Sequence, residues 1–307
     1  MNIQWYPGHM HKAAKEVKQI LPQVDIFIEI LDARIPFSSE NPMLADLRAG
    51  KPCIKVLNKY DLADPEMTQQ WQNYMEQEQG VKTLATTVEQ PEKIRTLADL
   101  CLKILAVPDS NTRLIRAMIM GIPNVGKSTL INLLAGKVVA KTGNEPAVTK
   151  AQQKINIGKN IVLLDTPGML WPNVENRNSG YRLAATGAIK DTAISHDDIA
   201  YFVADYLLKN YPHLLSSRYQ LHNRPKTELE LLEIIGRNRG CLRSGGLVDY
   251  DKTAKLLLAD FRSGKIGRIT LETPEMMQQE LIELERIRAE KAQKKLARKL
   301  KRKQASI

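Results

Sequence analysis

Cysteine, aromatic residues and long apolar runs are all scarce in this chain. Its three cysteines in 307 residues, Cys53, Cys101 and Cys241, stand far apart, without the spacing of a disulfide framework or a zinc site. That usage suits a reducing compartment. No apolar stretch approaches the roughly 20 residues that a bilayer span requires. The opening Met1-Asn-Ile-Gln-Trp-Tyr-Pro7 lacks the apolar core of a secretory signal, so a cytoplasmic protein is expected. Acidic side chains are the minority charge, 34 against 45 Lys and Arg, for a formal net charge of +11. The excess is concentrated: from Arg286 to Lys303 ten basic residues meet Glu290 alone. Such a run is either a solvated helix or a surface for nucleic-acid phosphates. Leu296 and Leu300 come without an aromatic anchor, which disfavours a membrane. At 43% hydrophobic and 26% charged the rest is ordinary, and the length allows about two domains.

What is present centres on Gly121-Ile-Pro-Asn-Val-Gly-Lys-Ser-Thr129. Two glycines bracket four residues and Lys127-Ser128 follows, between an apolar run at Leu114–Met120 and the helical opening Leu130–Leu134. This is the context a phosphate-binding loop needs. Backbone N–H groups from Asn124 to Thr129 would surround phosphate oxygens at a helix N-terminus. Lys127 would reach the outer phosphates and the Ser128 hydroxyl would ligate Mg²⁺. The chain is expected to bind a nucleoside triphosphate.

Apolar runs at Val24–Leu31, Pro52–Leu57, Val81–Ala85, Gln152–Ile157 and Ile161–Leu164 read as further strands. A helical pattern at Pro65–Gln79 leads into the third of these, and another at Pro91–Leu105 brings the chain to the phosphate loop. Alternation of this kind predicts a doubly wound α/β sheet with ligand loops at the carboxyl ends of its strands. Asp32-Ala-Arg-Ile-Pro-Phe-Ser-Ser39 reads as a polar loop after the first strand. Beyond Gly168 the pattern turns helical, with a capping box at Ser195-His-Asp-Asp198, further helices from Thr227 and Lys252, and a long one from Pro274. The expected division is residues 1–178 as the nucleotide domain, 179–285 as a smaller all-helical domain and 286–307 as a basic tail.

Asn58-Lys-Tyr-Asp61 fits the guanine-reading pattern Asn-Lys-x-Asp. The Asp61 carboxylate would accept from guanine N1–H and the 2-amino group, and adenine offers neither donor. Asn58 would bond the base edge or brace the loop, with Lys59 lying along the base and Tyr60 completing the tetrad. Thr86 and Thr87, ending the third strand, are candidate nucleotide contacts. Asp165-Thr-Pro-Gly168 supplies an aspartate for Mg²⁺ and a Gly168 N–H for the γ-phosphate.

The order of these parts is unusual, because Asn58–Asp61 precedes the phosphate loop. With this order the sequence resembles the circularly permuted GTPases. The segments Trp5–Met10, Asp32–Pro42, Asp165–Pro172 and Leu183–Asp191 are similar to the ribosome biogenesis GTPase A family. The resemblance covers nearly the whole chain. It implies a GTP-hydrolysing factor that binds the maturing large ribosomal subunit through rRNA and ribosomal proteins and leaves after hydrolysis. It also implies that Thr149 senses Mg²⁺ and the γ-phosphate, although Pro146-Ala-Val-Thr149 has alanine where the family usually has glycine. Asn124 is a candidate K⁺ ligand. Ras-type GTPases carry a water-orienting glutamine just after the Asp-x-x-Gly glycine, and here that position is Met169. His9, in Tyr6-Pro-Gly-His-Met10, is the candidate replacement. The competing readings are a GTP-stabilised RNA-binding scaffold without turnover and a small-subunit assembly GTPase. A monomer is expected.

Overall fold

A computed structural model describes residues 18–48, 50–108, 113–140, 153–166, 174–189 and 195–304. Six strands, β1 (Ile26–Asp32), β2 (Cys53–Asn58), β3 (Val81–Ala85), β4 (Ile115–Gly121), β5 (Gln153–Asn156) and β6 (Ile161–Asp165), form one sheet in the order β3-β2-β1-β4-β6-β5. All neighbours are parallel except β5, which lies antiparallel on β6 at the edge. The helices are α1 (Pro36–Ser39), α2 (Pro42–Arg48), α3 (Pro65–Met75), α4 (Pro91–Ile104), α5 (Lys127–Ala135), α6 (Arg177–Ala185), α7 (His196–Asn210), α8 (Pro212–Tyr219), α9 (Glu228–Asn238), α10 (Tyr250–Arg262) and α11 (Pro274–Gln304). The expected doubly wound sheet and helical second half are both present.

The central strand β1 is buried along its whole length, and its period-two alternation sends side chains to both faces of the sheet. Ile26, Ile28 and Ile30 join Ile54, Val56, Ile94, Leu97, Ile119 and Leu130 under α4 and α5. Phe27 packs with Cys53, Val81, Met118 and Met120, while Leu31 meets Leu57, Trp71 and Met75 of α3. Burial on both faces explains why these strands read as near-continuous apolar runs. The parallel register brings Asp32 beside Asn58, Ile30 beside Gly121 and Ile119 beside Asp165. The carboxyl ends of β1, β2, β3, β4 and β6 therefore open on one edge.

The helical half packs around α7, whose Ile199, Val203 and Leu207 join Leu231, Ile235, Leu257 and Phe261 in the core that also runs beneath the sheet. Its N-terminus is capped as the sequence predicts: Ser195 accepts from Asp198 N at 3.2 Å. Thr227 and Asp249 cap α9 and α10 in the same way. The expected division at residue 178 falls inside α6.

Asp32–Ser39 departs from expectation. Instead of a polar loop, the chain turns into α1, and Asp32, Ala33, Arg34, Ile35, Ser38 and Ser39 are all buried. Its polarity is satisfied internally. Arg34 forms a fork on Asp32 at 2.9 and 2.7 Å, and the Ser38 N–H and hydroxyl donate to Glu272 at 2.9 and 2.5 Å.

Candidate functional site

The phosphate loop leaves β4 at Gly121, where an added Cβ would sit 2.8 Å from the Ile30 carbonyl oxygen. Asn124 (φ 62) and Gly126 (φ 92) take left-handed backbone, which turns the loop back onto the start of α5. Gly126 is the N-cap, and Lys127, Ser128 and Thr129 form the first turn. The orphan N–H groups of that turn face the sheet edge together with the positive end of the helix dipole.

The tetrad Asn58–Asp61 braces this loop. Asn58 Nδ2 donates to the Val125 carbonyl at 2.7 Å, and Lys59 Nζ donates to the Asn124 carbonyl at 2.7 Å and to Asp32 Oδ2 at 2.9 Å. Burial alone would raise the Asp32 carboxyl, but Arg34 and Lys59 outweigh it and hold it well below the usual carboxylate range. Burial also lowers the Lys59 ammonium, against the pull of Asp32. Lys59 itself adopts left-handed backbone (φ 59), which swings Tyr60–Leu62 into a 3₁₀ turn and presents Asp61 half-buried at its centre. The Tyr60 N–H bonds the Thr86 carbonyl at 3.0 Å, placing Thr86 and Thr87 beside that turn. The Thr86 hydroxyl is buried without a hydrogen-bond partner.

The Lys127 ammonium pairs with Asp165 Oδ1, and both side chains are buried. Burial raises the Asp165 carboxyl, with Lys127 pulling the other way. Its second oxygen, Oδ2, is buried and unpartnered. A buried carboxylate oxygen left without a protein partner is the hard oxygen ligand that a divalent cation such as Mg²⁺ prefers. Asn124 turns its amide nitrogen to the Gly187 carbonyl at 2.8 Å, just after α6.

The described candidates Asn58, Lys59, Tyr60, Asp61, Thr86, Thr87, Asn124, Val125, Gly126, Lys127, Ser128, Thr129 and Asp165 thus gather at one sheet edge. His9, Thr149 and Gly168 lie outside the described residues. Sequence reasoning missed the part of Asp32 and Arg34, which lock Lys59 in place, because it read their segment only as a polar loop. It also missed Arg268, which bonds the carbonyls of Ala63 (2.8 Å) and Tyr60 (2.7 Å); nothing in its neighbourhood signals that contact.

Comparison with known proteins agrees with this geometry. A family model described as 50S ribosome-binding GTPase matches residues 116–237, and one described as RsgA GTPase matches residues 43–175. A Priestia megaterium protein named ribosome biogenesis GTPase A is 48% identical over 92% of this chain and 100% of its own. Its Bacillus cereus namesake is 46% identical over 94% and 99%. The GNP-bound crystal structure of YlqF from T. maritima superposes with a TM-score of 0.60 at 28% identity, covering 86% of this chain and 99% of that one.

Proposed function

Because the chain belongs to the ribosome biogenesis GTPase A family and is a GTP-hydrolysing enzyme, we propose that it acts on the maturing large ribosomal subunit. It binds that particle in the GTP state and leaves after hydrolysis. The observation that carries the proposal is the grip of α6, the helix that follows β6 in the chain, on the basic helix α11. The N-cap Asn176 of α6 donates its amide to Glu280 of α11 at 2.7 Å. Asn178 and Arg182 of α6 grip the same carboxylate at 2.9 and 2.7 Å. A rearrangement of the Asp165–Gly168 segment on loss of the γ-phosphate would pull on the helix that carries the ten basic residues. That helix supplies the charge for rRNA phosphates. Residues 1–178, 179–285 and 286–307 then divide the labour into nucleotide chemistry, docking and phosphate contact.

The site residues take the following roles in this reading. Asp61 reads guanine, while Asn58 and Lys59 fix the phosphate loop against it. Thr86 and Thr87 line the base side. Lys127 exchanges Asp165 for the β- and γ-phosphates, and this frees Asp165, with Ser128 and Thr149, to hold Mg²⁺. When bound, Mg²⁺ neutralises charge on the phosphate oxygens. The N–H groups of Val125, Gly126, Thr129 and Gly168 cradle phosphate. Asn124, held at the loop by Gly187, is the ligand for K⁺, and His9 orients the attacking water. The protein works as a cytoplasmic monomer; no described helix is long and apolar enough to cross a membrane.

Sedimentation of the full chain with large subunits tests the proposal. Retention is expected with a non-hydrolysable GTP analogue, release with GDP, and no retention on small subunits. Equal retention in both nucleotide states, or preference for small subunits, would overturn it.

A further inference from the structure

The 3₁₀ turn that presents Asp61 is short, and its own hydrogen bonds do not fix its orientation. Its outward carbonyls are instead satisfied from the far end of the chain. Arg268 spans the turn with a fork, Nη2 to the Tyr60 carbonyl at 2.7 Å and Nε to the Ala63 carbonyl at 2.8 Å. Between them, the Ile269 N–H reaches the Leu62 carbonyl at 2.9 Å. The Arg268 guanidinium also lies over the Tyr60 ring, 4.6 Å from its centroid, and Lys93 Nζ lies 5.6 Å from the same ring. Gly264 makes the close approach possible: an ideal Cβ there would stand 2.7 Å from Leu62 Cδ2. The strap then continues along the loop that follows β1. Thr270 Oγ1 accepts from Asp64 N at 3.1 Å and donates to the Ala33 carbonyl at 3.3 Å, and Leu271 N–H reaches the Arg34 carbonyl at 2.8 Å.

We infer that Arg268 is a positioning residue for guanine recognition. By holding the carbonyls on either side of Asp61 and stacking on Tyr60, it fixes the direction of the Asp61 carboxylate and so sharpens selection for a base with a 2-amino group. The inference rests on the reading of Asp61 as the acceptor for guanine. Arginine suits the grip, because its planar guanidinium offers two N–H donors in a fixed fork and a flat face for the Tyr60 ring, which an ammonium does not. Arg268 is itself exposed at the surface, so its removal leaves the core intact.

Hypoxanthine nucleotides, which lack only the 2-amino group, supply the test. Binding of GDP and IDP to the full chain is measured by calorimetry for wild type, Arg268→Ala, Arg268→Lys, Asp61→Ala and the Asp61→Ala/Arg268→Ala pair. Thermal midpoints are recorded alongside. Arg268→Ala is expected to reduce the preference for GDP over IDP by on the order of tenfold, mainly through weaker GDP binding, with Arg268→Lys between it and wild type. In the Asp61→Ala background, Arg268→Ala is expected to change the ratio no further. An unchanged ratio in Arg268→Ala, whether both affinities stay or fall together, would overturn the inference. So would an effect that persists without Asp61. If Arg268→Ala does not fold, Arg268→Lys against wild type decides by the same ratio. Failure of the Asp61 reading is separately visible, as a wild type and an Asp61→Ala variant with the same ratio.

Discussion

Gly126 meets two demands at once, and no other residue satisfies both. Its backbone is left-handed at φ 92, and an added Cβ would stand 2.3 Å from Asn58 Nδ2, the atom that braces the loop. Gly126→Ala should therefore cost about 1–3 kcal/mol of stability in strain and weaken GTP binding at least tenfold, read by denaturant titration and calorimetry. Unchanged affinity would show that the Asn58 brace is dispensable. Glu29 presents a different residue-scale case. It is buried in β1, accepts from the Asn41 N–H at 3.1 Å, and faces Glu40, Lys55 and Arg48. Burial first, then the charge of Glu40, pushes its carboxyl from 4.5 up to about 8, with Lys55 and Arg48 opposing. The folded state keeps a proton that the unfolded chain releases above its ordinary value, so this group favours folding at low pH. That contribution is lost as pH rises towards 8. Glu29→Gln removes the titration and keeps the acceptor. Its urea midpoint relative to wild type should rise steadily between pH 5 and 8, and a difference independent of pH would contradict the assignment.

At the scale of elements, α6 is the junction. Arg182, 1% exposed, reaches Glu272 at 3.4 Å and Glu280 at 2.7 Å, while its Nε donates to the Leu271 carbonyl at 3.1 Å. Arg182→Met should cost about 3–5 kcal/mol, because it leaves Glu272 charged and buried without a cation. Adding Glu272→Gln should recover part of that loss, and a double variant no better than the single would place the cost elsewhere. The same region marks where the sequence stops being legible. β1, β2, β3, β4 and β6 announce themselves through apolar runs bounded by motif residues, α7 through its capping box and α9 through its start at Thr227. The phosphate loop and Asn58–Asp61 carry their chemistry in a few adjacent residues. The buried character of Asp32–Ser39 is not written locally, since Ser38 is satisfied by Glu272 and Ser179, far along the chain. Helix α8 offered only Pro212 at its start as a sign. Arg268 looks like any surface arginine until the fold brings Tyr60 beneath it.

For the whole molecule, the nucleotide edge is joined to the helical half twice, through the Asn124–Gly187 contact after α6 and through the strap at 264–272. The sheet core and the helical core are one apolar cluster. Motion in either half therefore reaches the nucleotide through packed contacts, and ligand and particle binding should be reciprocally linked. The strap also bears on how the chain comes into being. Synthesis runs from the amino end, so β1, β2 and the Asp61 turn leave the exit tunnel before the phosphate loop exists, and long before Arg268 is made. The pairing of Leu271 with Arg34 closes one of the longest loops in the fold, which makes it a late event in folding. If Arg268 positions Asp61 as inferred, a nascent chain would hold an unfinished base pocket until residue 268 has emerged. Full selectivity for guanine would then come only once the strap has been made, and a truncated product lacking the strap should discriminate guanine poorly.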